Sequence, residues 1–297
     1  ATYLSAKCPV FFAPAMDLDM WDHPSTRENI NRLQSFGNFI IDVGTGELAS
    51  GLSGPGRLAE PEDILLQLAE YFHYRQDMNG LKVLINAGPT YEAIDPVRYI
   101  GNHSTGKMGV AIAEEFSRRG AEVFLILGPE SVVPENQHIH IERITSADEM
   151  LAACMHRFSN VKVAVLAAAV ADYKPASVAA EKIKKSSDTL SLELVRTPDI
   201  AEALGKMKKP GQHLIGFALE TSEGLKNAKE KMTRKNMDMI VLNNPRDAGA
   251  GFGHDTNKVS FLFPDNKEEH FELKSKRAVA HDIAEAIHQM IKANAKK

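Results

Sequence analysis

Val161-Lys-Val-Ala-Val-Leu-Ala-Ala-Ala-Val-Ala171 is an apolar run broken only by Lys162. A strand with one wet face would alternate polar and apolar residues; a run like this suits a strand buried on both faces, in the middle of a parallel sheet. Outward from it, strand-like and helix-like segments alternate. Upstream lie a strand over 82–87, a long loop, a helix from about 107 to 119 closed by Gly120, a strand over 123–128, a short strand near 139–144 and a helix over 146–158. Ser146 makes a good N-cap for that helix, with Glu149 three residues on. Downstream, 199–208 and 224–235 read as helices and 213–220 and 239–244 as strands. Segments 259–263 and 270–273 flank Pro264-Asp-Asn-Lys267 as a hairpin, and a last helix runs over about 276–292. This alternation predicts a doubly wound, mostly parallel α/β sheet with ligands at the carboxyl ends of its strands.

A boundary falls near residue 77. Before it, 61–74 is helical, with Ile64, Leu65, Leu68 and Phe72 on one face and acids in the first turn. The chain opens on 1–6, which reads as the end of a helix, and on a strand-like 9–15. A buried strand with so little before it leads to the expectation that the protein extends N-terminally. Net charge is −4 over 297 residues, so no broad basic surface points to nucleic acid. No apolar run approaches the length of a membrane span. Two cysteines, Cys8 and Cys154, make no disulfide framework and suggest a reducing cytoplasm.

Gly101-Asn-His-Ser-Thr-Gly-Lys-Met-Gly109 resembles a phosphate loop, but Met108 stands where such a loop needs a hydroxyl for Mg²⁺. It also lies more than ten residues past its strand. It reads as a glycine-rich anion loop ahead of a helix, with Arg98, His103 and Lys107 able to neutralise phosphate. The plain alternative is a βα loop with a helix cap, although loops this long are usually functional. Small residues at Ala167 and Ala168 let a base or ribose lie against backbone, and Asp172 suits ribose hydroxyls or a metal. Lys182, Lys184 and Lys185 are placed to close over a polyphosphate; taken alone they read first as a solvated charge run. Arg196-Thr-Pro-Asp-Ile200 is a strand-to-helix turn with Pro198 at the first helical position. Lys231 and Lys235 share a helix face beyond Phe217, where surface lysines are the plain reading. With no H-E-x-x-H and no C-x-x-C, a protein-held metal has little support, and any metal ligands stay unknown.

These motifs together resemble the bifunctional phosphopantothenoylcysteine decarboxylase / phosphopantothenate–cysteine ligase family of coenzyme A biosynthesis. AGPT at 87–90, DPVRYIGNHSTGKMG at 95–109, AAAVADY at 167–173, EKIKK at 181–185, TPDI at 197–200 and GFALET at 216–221 carry the likeness. The resemblance implies a Rossmann-like ligase domain over 77–297, preceded by a partial flavodoxin-like segment over 1–76. It implies a cytoplasmic ligase that joins 4′-phosphopantothenate to L-cysteine using CTP with Mg²⁺, through an acyl-cytidylate, as a homo-oligomer built on a ligase-domain dimer. By motif match, Asn102 contacts the acyl-cytidylate, Lys182 engages the nucleotide and Arg98 binds phosphopantothenate. Ala167, Ala168, Asp172, Pro198, Asp199, Ile200, Ala201, Phe217, Lys231 and Lys235 fall on nucleotide-binding positions. Segment 1–76 resembles the end of the flavin-dependent decarboxylase through Pro14-Ala-Met-Asp17, Met20-Trp21 and Ser50-Gly-Leu-Ser-Gly-Pro-Gly-Arg57. FMN is implied only for a complete decarboxylase domain. Many members have Asn where this chain has Asp17 and a proton-donating Cys where it has Ser50, and a hydroxyl is a far weaker acid than a thiol.

Three rivals are weaker. A short-chain NAD(P) reductase has a comparable glycine turn, but the only Y-x-x-x-K, Tyr3 to Lys7, precedes the nucleotide fold. A P-loop NTPase fails at Met108. A non-enzymatic binding module leaves the lysine loop without a task.

Overall fold

The computed structural model describes residues 2–74, 76–184, 189–219, 224–243, 254–265 and 267–295. The chain forms two compact units, Ala1–Arg75 and Gln76–Lys297. Lys185, Glu220, Thr221 and Asn244, parts of motifs or strands read from the sequence, lie outside the described residues.

The first unit runs α1 (Thr2–Ser5), β1 (Phe11–Phe12), α2 (Leu18–Asp22), α3 (Pro24–Ser35), β2 (Phe39–Ile40), β3 (Gly44–Glu47), β4 (Ser53–Arg57) and α4 (Pro61–Tyr74). β1 pairs in parallel with β2, and β3 with β4 as a hairpin. Of the segment 9–15 expected as a strand, only two residues pair, because Pro9 and Pro14 have no N–H to give a ladder. The rings of Phe11 and Phe39 stack 4.9 Å apart, and Tyr71 of α4 meets both edge-on. The inward stripe of α4 therefore runs Ile64, Leu68, Tyr71. Leu65 and Phe72, expected on that face, are 66% and 56% exposed.

The second unit holds β5 (Lys82–Ala87), β6 (Tyr91–Ala93), β7 (Tyr99–Gly101), α5 (Lys107–Arg118), β8 (Glu122–Leu127), β9 (His140–Arg143), α6 (Ala147–Phe158), β10 (Val163–Leu166), β11 (Tyr173–Pro175), β12 (Leu194–Arg196), α7 (Ile200–Met207), β13 (His213–Leu219), α8 (Gly224–Arg234), β14 (Met239–Asn243), β15 (Thr256–Asn257), β16 (Val259–Leu262), β17 (Glu268–His270), β18 (Lys274–Ser275) and α9 (Lys276–Ala295). An eight-stranded sheet has the order β17-β16-β14-β13-β10-β5-β8-β9. From β9 to β14 every pairing is parallel; β16 and β17 add an antiparallel edge. The apolar run that opens the sequence reading supplies β10, every residue of it buried, between β5 and β13.

Both faces of the sheet are covered. Val110, Ile112 and Phe116 of α5 and Val279, Ile283 and Ile287 of α9 pack on one face. Met150, Cys154 and Phe158 of α6, Leu204 of α7 and Ala228 and Met232 of α8 pack on the other. The expected capping box at Ser146 and Glu149 is present.

Three local expectations change. The regular ladder of the 161–171 run stops at Leu166, and only Ala169 makes a further bridge, to Pro89. The long loop after β5 contains the hairpin β6–β7, with Tyr91 and Tyr99 stacked 3.7 Å apart. The second strand of the C-terminal hairpin is Glu268–His270, not 270–273. It is an edge strand rich in charge, so apolar alternation does not mark it.

α5 and α9 are tied by Glu115, only 8% exposed, which accepts bonds from Arg118 (2.5 Å) and pairs with His281 Nδ1 (2.9 Å). Burial pushes its pKa up, but the His281 and Arg118 bonds outweigh burial and bring it down to about 2. The unfolded value is near 4.3, so the stabilisation is complete above about pH 4.3 and fades as pH falls towards about 2. Glu115→Gln should lower unfolding stability at pH 7 by about 1–2 kcal/mol. Denaturant titrations of both proteins from pH 7 to pH 2.5 should show the gap narrowing; a constant gap would mean that packing rather than charge is lost.

Candidate functional site

Where β5 ends, the chain turns at Gly88 (φ 85°), and α5 begins after Gly106 (φ 72°), its N-cap. These left-handed conformations suit glycine. A Cβ on Gly106 would stand 2.9 Å from that of Ser131 and 3.4 Å from the amide nitrogen of Gly88, so the two turns pack closely. One turn on, a Cβ at Gly109 would meet that of Ala87 at 2.5 Å, so only glycine lets α5 sit this near β5. Among the described residues, no side chain caps the start of α5. Its amides and the positive end of its dipole are thus suited to an anion. Lys107 stands there, paired with Asp255 at 2.7 Å. Lys276 donates to the carbonyl of His254, and burial together with the charge of Lys107 lowers its pKa. His103 is exposed.

The small-residue segment after β10 is held by groups from the end of β5 and the loop that follows it. Asn86 Oδ1 accepts from the Ala168 amide at 3.0 Å, the Gly88 carbonyl from Ala169 at 2.9 Å, and Thr90 Oγ1 from Ala171 at 3.0 Å. Asn102 donates through Nδ2 to the carbonyls of Ala169 (3.0 Å) and Val170 (3.1 Å). Ala167 and Ala168 are half-buried, and Asp172 is exposed. Ala167 follows the paired Leu166 and Gly216, as Phe217 does on β13, so both stand at the same level of the sheet. Asn86 and Thr90 belong to a stretch that draws attention in the sequence, but a role as ties for the Ala167 segment needs the three-dimensional register.

β11 and β12 pair as a hairpin whose base joins Asp172 to Thr197: the Thr197 amide donates to the Asp172 carbonyl, and its Oγ1 to that of Ala171. α7 begins one residue later than the sequence suggests. Pro198 is not at the first helical position: Asp199 is the N-cap, accepting from the Glu202 amide at 3.0 Å, and Pro198 precedes the cap. Asp199 also pairs with Lys235 at 2.6 Å. Lys235 is buried, unlike a surface lysine, and Lys231, one turn earlier, is half-buried. Burial raises the Asp199 pKa, but the Lys235 bond and the Glu202 amide more than offset it, for a net lowering. Ile200 is buried in the core and Ala201 half-buried.

Lys182 is exposed, on a segment reaching over from the β11–β12 hairpin. Arg98 directs its fork at Asp95 and donates to the carbonyl of Ile183 at 3.1 Å. Hydrogen bonds therefore link Asn102, the 167–172 segment and Thr197 at one end of the sheet, and Asp199, two residues on, pairs with Lys235. A second set links Arg98 to the segment carrying Lys182. Among the described residues, no group of three or more His, Cys, Asp and Glu could hold a metal, and no helix is long and apolar enough to cross a membrane.

In the first unit, Ser50 Oγ donates to Asp17 Oδ1 at 2.9 Å, Asp17 caps α2 at the Leu18 amide, and Arg57 pairs with Glu60 at 2.7 Å. The strand-to-helix turn after β1 thus carries a carboxylate at the helix start. A flavin phosphate would be repelled there, so this turn does not fit FMN's phosphate.

The family model for the DNA/pantothenate metabolism flavoprotein C-terminal domain matches residues 78–291, and that for a flavoprotein matches residues 1–73. A cysteine/cysteine sulfinic acid decarboxylase from an unknown prokaryotic organism is 50% identical over 290 residues, covering 96% of this chain and 81% of that protein. The coenzyme A biosynthesis bifunctional protein CoaBC of Haemophilus influenzae is 43% identical over 285 residues, covering 96% of this chain and 70% of its own. The crystal structure of the C-terminal domain of a CoaBC protein superposes with a TM-score of 0.63 at 39% identity, over 73% of this chain and 99% of that one.

Asp199→Ala should destabilise the protein by about 2–4 kcal/mol, because it removes a helix cap and leaves Lys235 buried without its carboxylate. Asp199→Asn keeps the cap and should lose about half as much. Thermal unfolding of both variants separates the two contributions; equal losses would assign the whole effect to the Lys235 pair.

Proposed function

The chain belongs to the DNA/pantothenate metabolism flavoprotein family, of the kind found in coenzyme A biosynthesis, and from that premise we propose that residues 77–297 are a phosphopantothenate–cysteine ligase. The observation that carries this reading is Asn102, whose amide ties the anion loop to the carbonyls of Ala169 and Val170 beside the uncapped start of α5. The arrangement suits a reaction in which charge builds on phosphoryl oxygens and a carboxylate must be made a better acyl donor.

In this reading the carboxylate of 4′-phosphopantothenate attacks the α-phosphorus of CTP, a P–O bond forms, and pyrophosphate leaves. The amine of L-cysteine then attacks the acyl carbon, gives up a proton, and CMP leaves with the electron pair of the broken C–O bond. Positioning and cationic stabilisation are the main contributions open to the protein. Ala167, Ala168, Asp172, Pro198, Asp199, Ile200, Ala201 and Phe217 would line the nucleotide, with Lys231 and Lys235 beneath it. Lys182 would meet the phosphates, and Arg98 the phosphate of phosphopantothenate. Mg²⁺ would arrive on the nucleotide, which asks for no protein-built metal cluster.

CMP release that requires both 4′-phosphopantothenate and L-cysteine is the expected result with CTP. Lys182→Gln should cut turnover at least about 100-fold with little change in melting temperature, since the side chain is exposed. Asn102→Asp should accumulate acyl-cytidylate, because a carboxylate cannot donate to an acyl oxygen. No CMP under these conditions would discard the ligase reading, and equal loss of both half reactions in Asn102→Asp would reduce Asn102 to a loop tie.

A second reading concerns residues 1–76. Their likeness to a flavoprotein, the relative described as a cysteine/cysteine sulfinic acid decarboxylase, and the Ser50–Asp17 hydrogen bond support decarboxylation of a cysteine-type carboxylate by a complete flavoprotein domain. Residues 1–76 alone should not retain FMN, because the two-stranded pairings β1–β2 and β3–β4 are too small to enclose a flavin ring. The chain should be colourless after incubation with FMN and desalting. A yellow product with about one FMN per chain would overturn that expectation.

A further inference from the structure

Asp95, at the tip of the β6–β7 hairpin, is 3% exposed. Its Oδ1 accepts from the amides of Val97 and Arg98, each at 2.9 Å. Its Oδ2 accepts from Arg98 Nε at 2.9 Å, from Arg98 Nη2, and from the amide of Ile183 at 3.1 Å. Arg98 Nη2 also donates to the carbonyl of Ile183 at 3.1 Å. Both backbone groups of Ile183 are therefore gripped, the N–H by Asp95 and the C=O by Arg98. A further tie, from the Ala179 amide to the Ile94 carbonyl at 3.0 Å, holds the same segment to the same hairpin. Ile183 is half-buried, whereas its neighbours Lys182 and Lys184 are exposed.

We propose that Asp95 is a positioning residue: with Arg98 it forms a latch that fixes the backbone of Ile183 and so sets where Lys182 and Lys184 stand. Geometry favours this over a purely local role. The turn needs only one carboxylate oxygen for the Val97 and Arg98 amides, while the other is committed to Arg98 and to a residue 88 positions away. A buried carboxylate bonded on both oxygens is costly to disturb, so the lysine segment is ordered before any ligand arrives. A polyphosphate then meets lysines whose backbone has already lost its freedom, and binds tighter for it. The latch rests on these contacts alone; that the lysines serve a nucleotide rests on the ligase reading.

Asp95→Asn separates the two oxygens. An Asn carbonyl still accepts from Val97 and Arg98, as Asn does in turns, while its NH₂ faces the Ile183 amide and the Arg98 fork with donor against donor. In the full chain, brief trypsin treatment below the unfolding temperature should cut after Lys182 and Lys184 about tenfold faster in the variant, as read by mass spectrometry. The KM for CTP should rise about tenfold, with the KM for cysteine within about twofold. Arg98→Lys keeps a charge beside Asp95 but loses the fork that spans to Ile183, and should show the same faster cleavage if Asp95→Asn does not fold. Cleavage unchanged within about twofold would overturn the latch. Faster cleavage with an unaltered KM for CTP would overturn the role of the held lysines. If the unmutated chain shows no ligase turnover, the ligase reading fails and the cleavage rates alone decide the latch.

Discussion

The chain that leaves β10 runs past the regular ladder, and the rest of the candidate site depends on how its amides are met. A buried N–H without a partner costs about as much as a lost hydrogen bond. Here Asn86, Gly88 and Thr90 accept from Ala168, Ala169 and Ala171, and Asn102 covers the facing carbonyls. The small-residue segment is thereby bent across the end of β5 rather than continuing the sheet. Its alanines leave backbone open to a flat ligand because they bring no bulk.

Charge is handled with the same economy of geometry. Asp199 serves both as the cap of α7 and as the partner of Lys235, so one carboxylate joins two helices at the mouth of the sheet. Asp95 likewise serves a turn and a distant segment with its two oxygens. Around the start of α5, Lys107 and Lys276 stand near one another, and Asp255 pairs with Lys107.

Much of this was legible beforehand. β5, β10, β13 and β14 announce themselves as apolar runs because they are buried on both faces, and α5 and α6 by their terminal signals, Gly120 and the Ser146–Glu149 box. Less legible were features whose signal is held elsewhere in the chain. The Tyr91–Tyr99 hairpin looks like loop because its ladder is only three residues long. The inward stripe of α4 excludes Leu65 and Phe72 because its partners, Phe11 and Phe39, take Tyr71 instead. Lys235 reads as a surface lysine until Asp199 is seen beside it.

By itself the sequence determined the α/β class, the identity of the core strands and the set of residues that crowd one end of the sheet, since burial periodicity, caps and glycine turns are local properties of the chain. Only the tertiary structure decided which of those residues are already engaged. Arg98 and Lys107 read alike as cations for a phosphate, yet Arg98 faces Asp95 and Ile183 while Lys107 faces Asp255, at separations of 3, 85 and 148 residues. Contacts of that span are set by strand order and register, because side chains far apart in sequence meet only where the sheet brings their loops to the same edge.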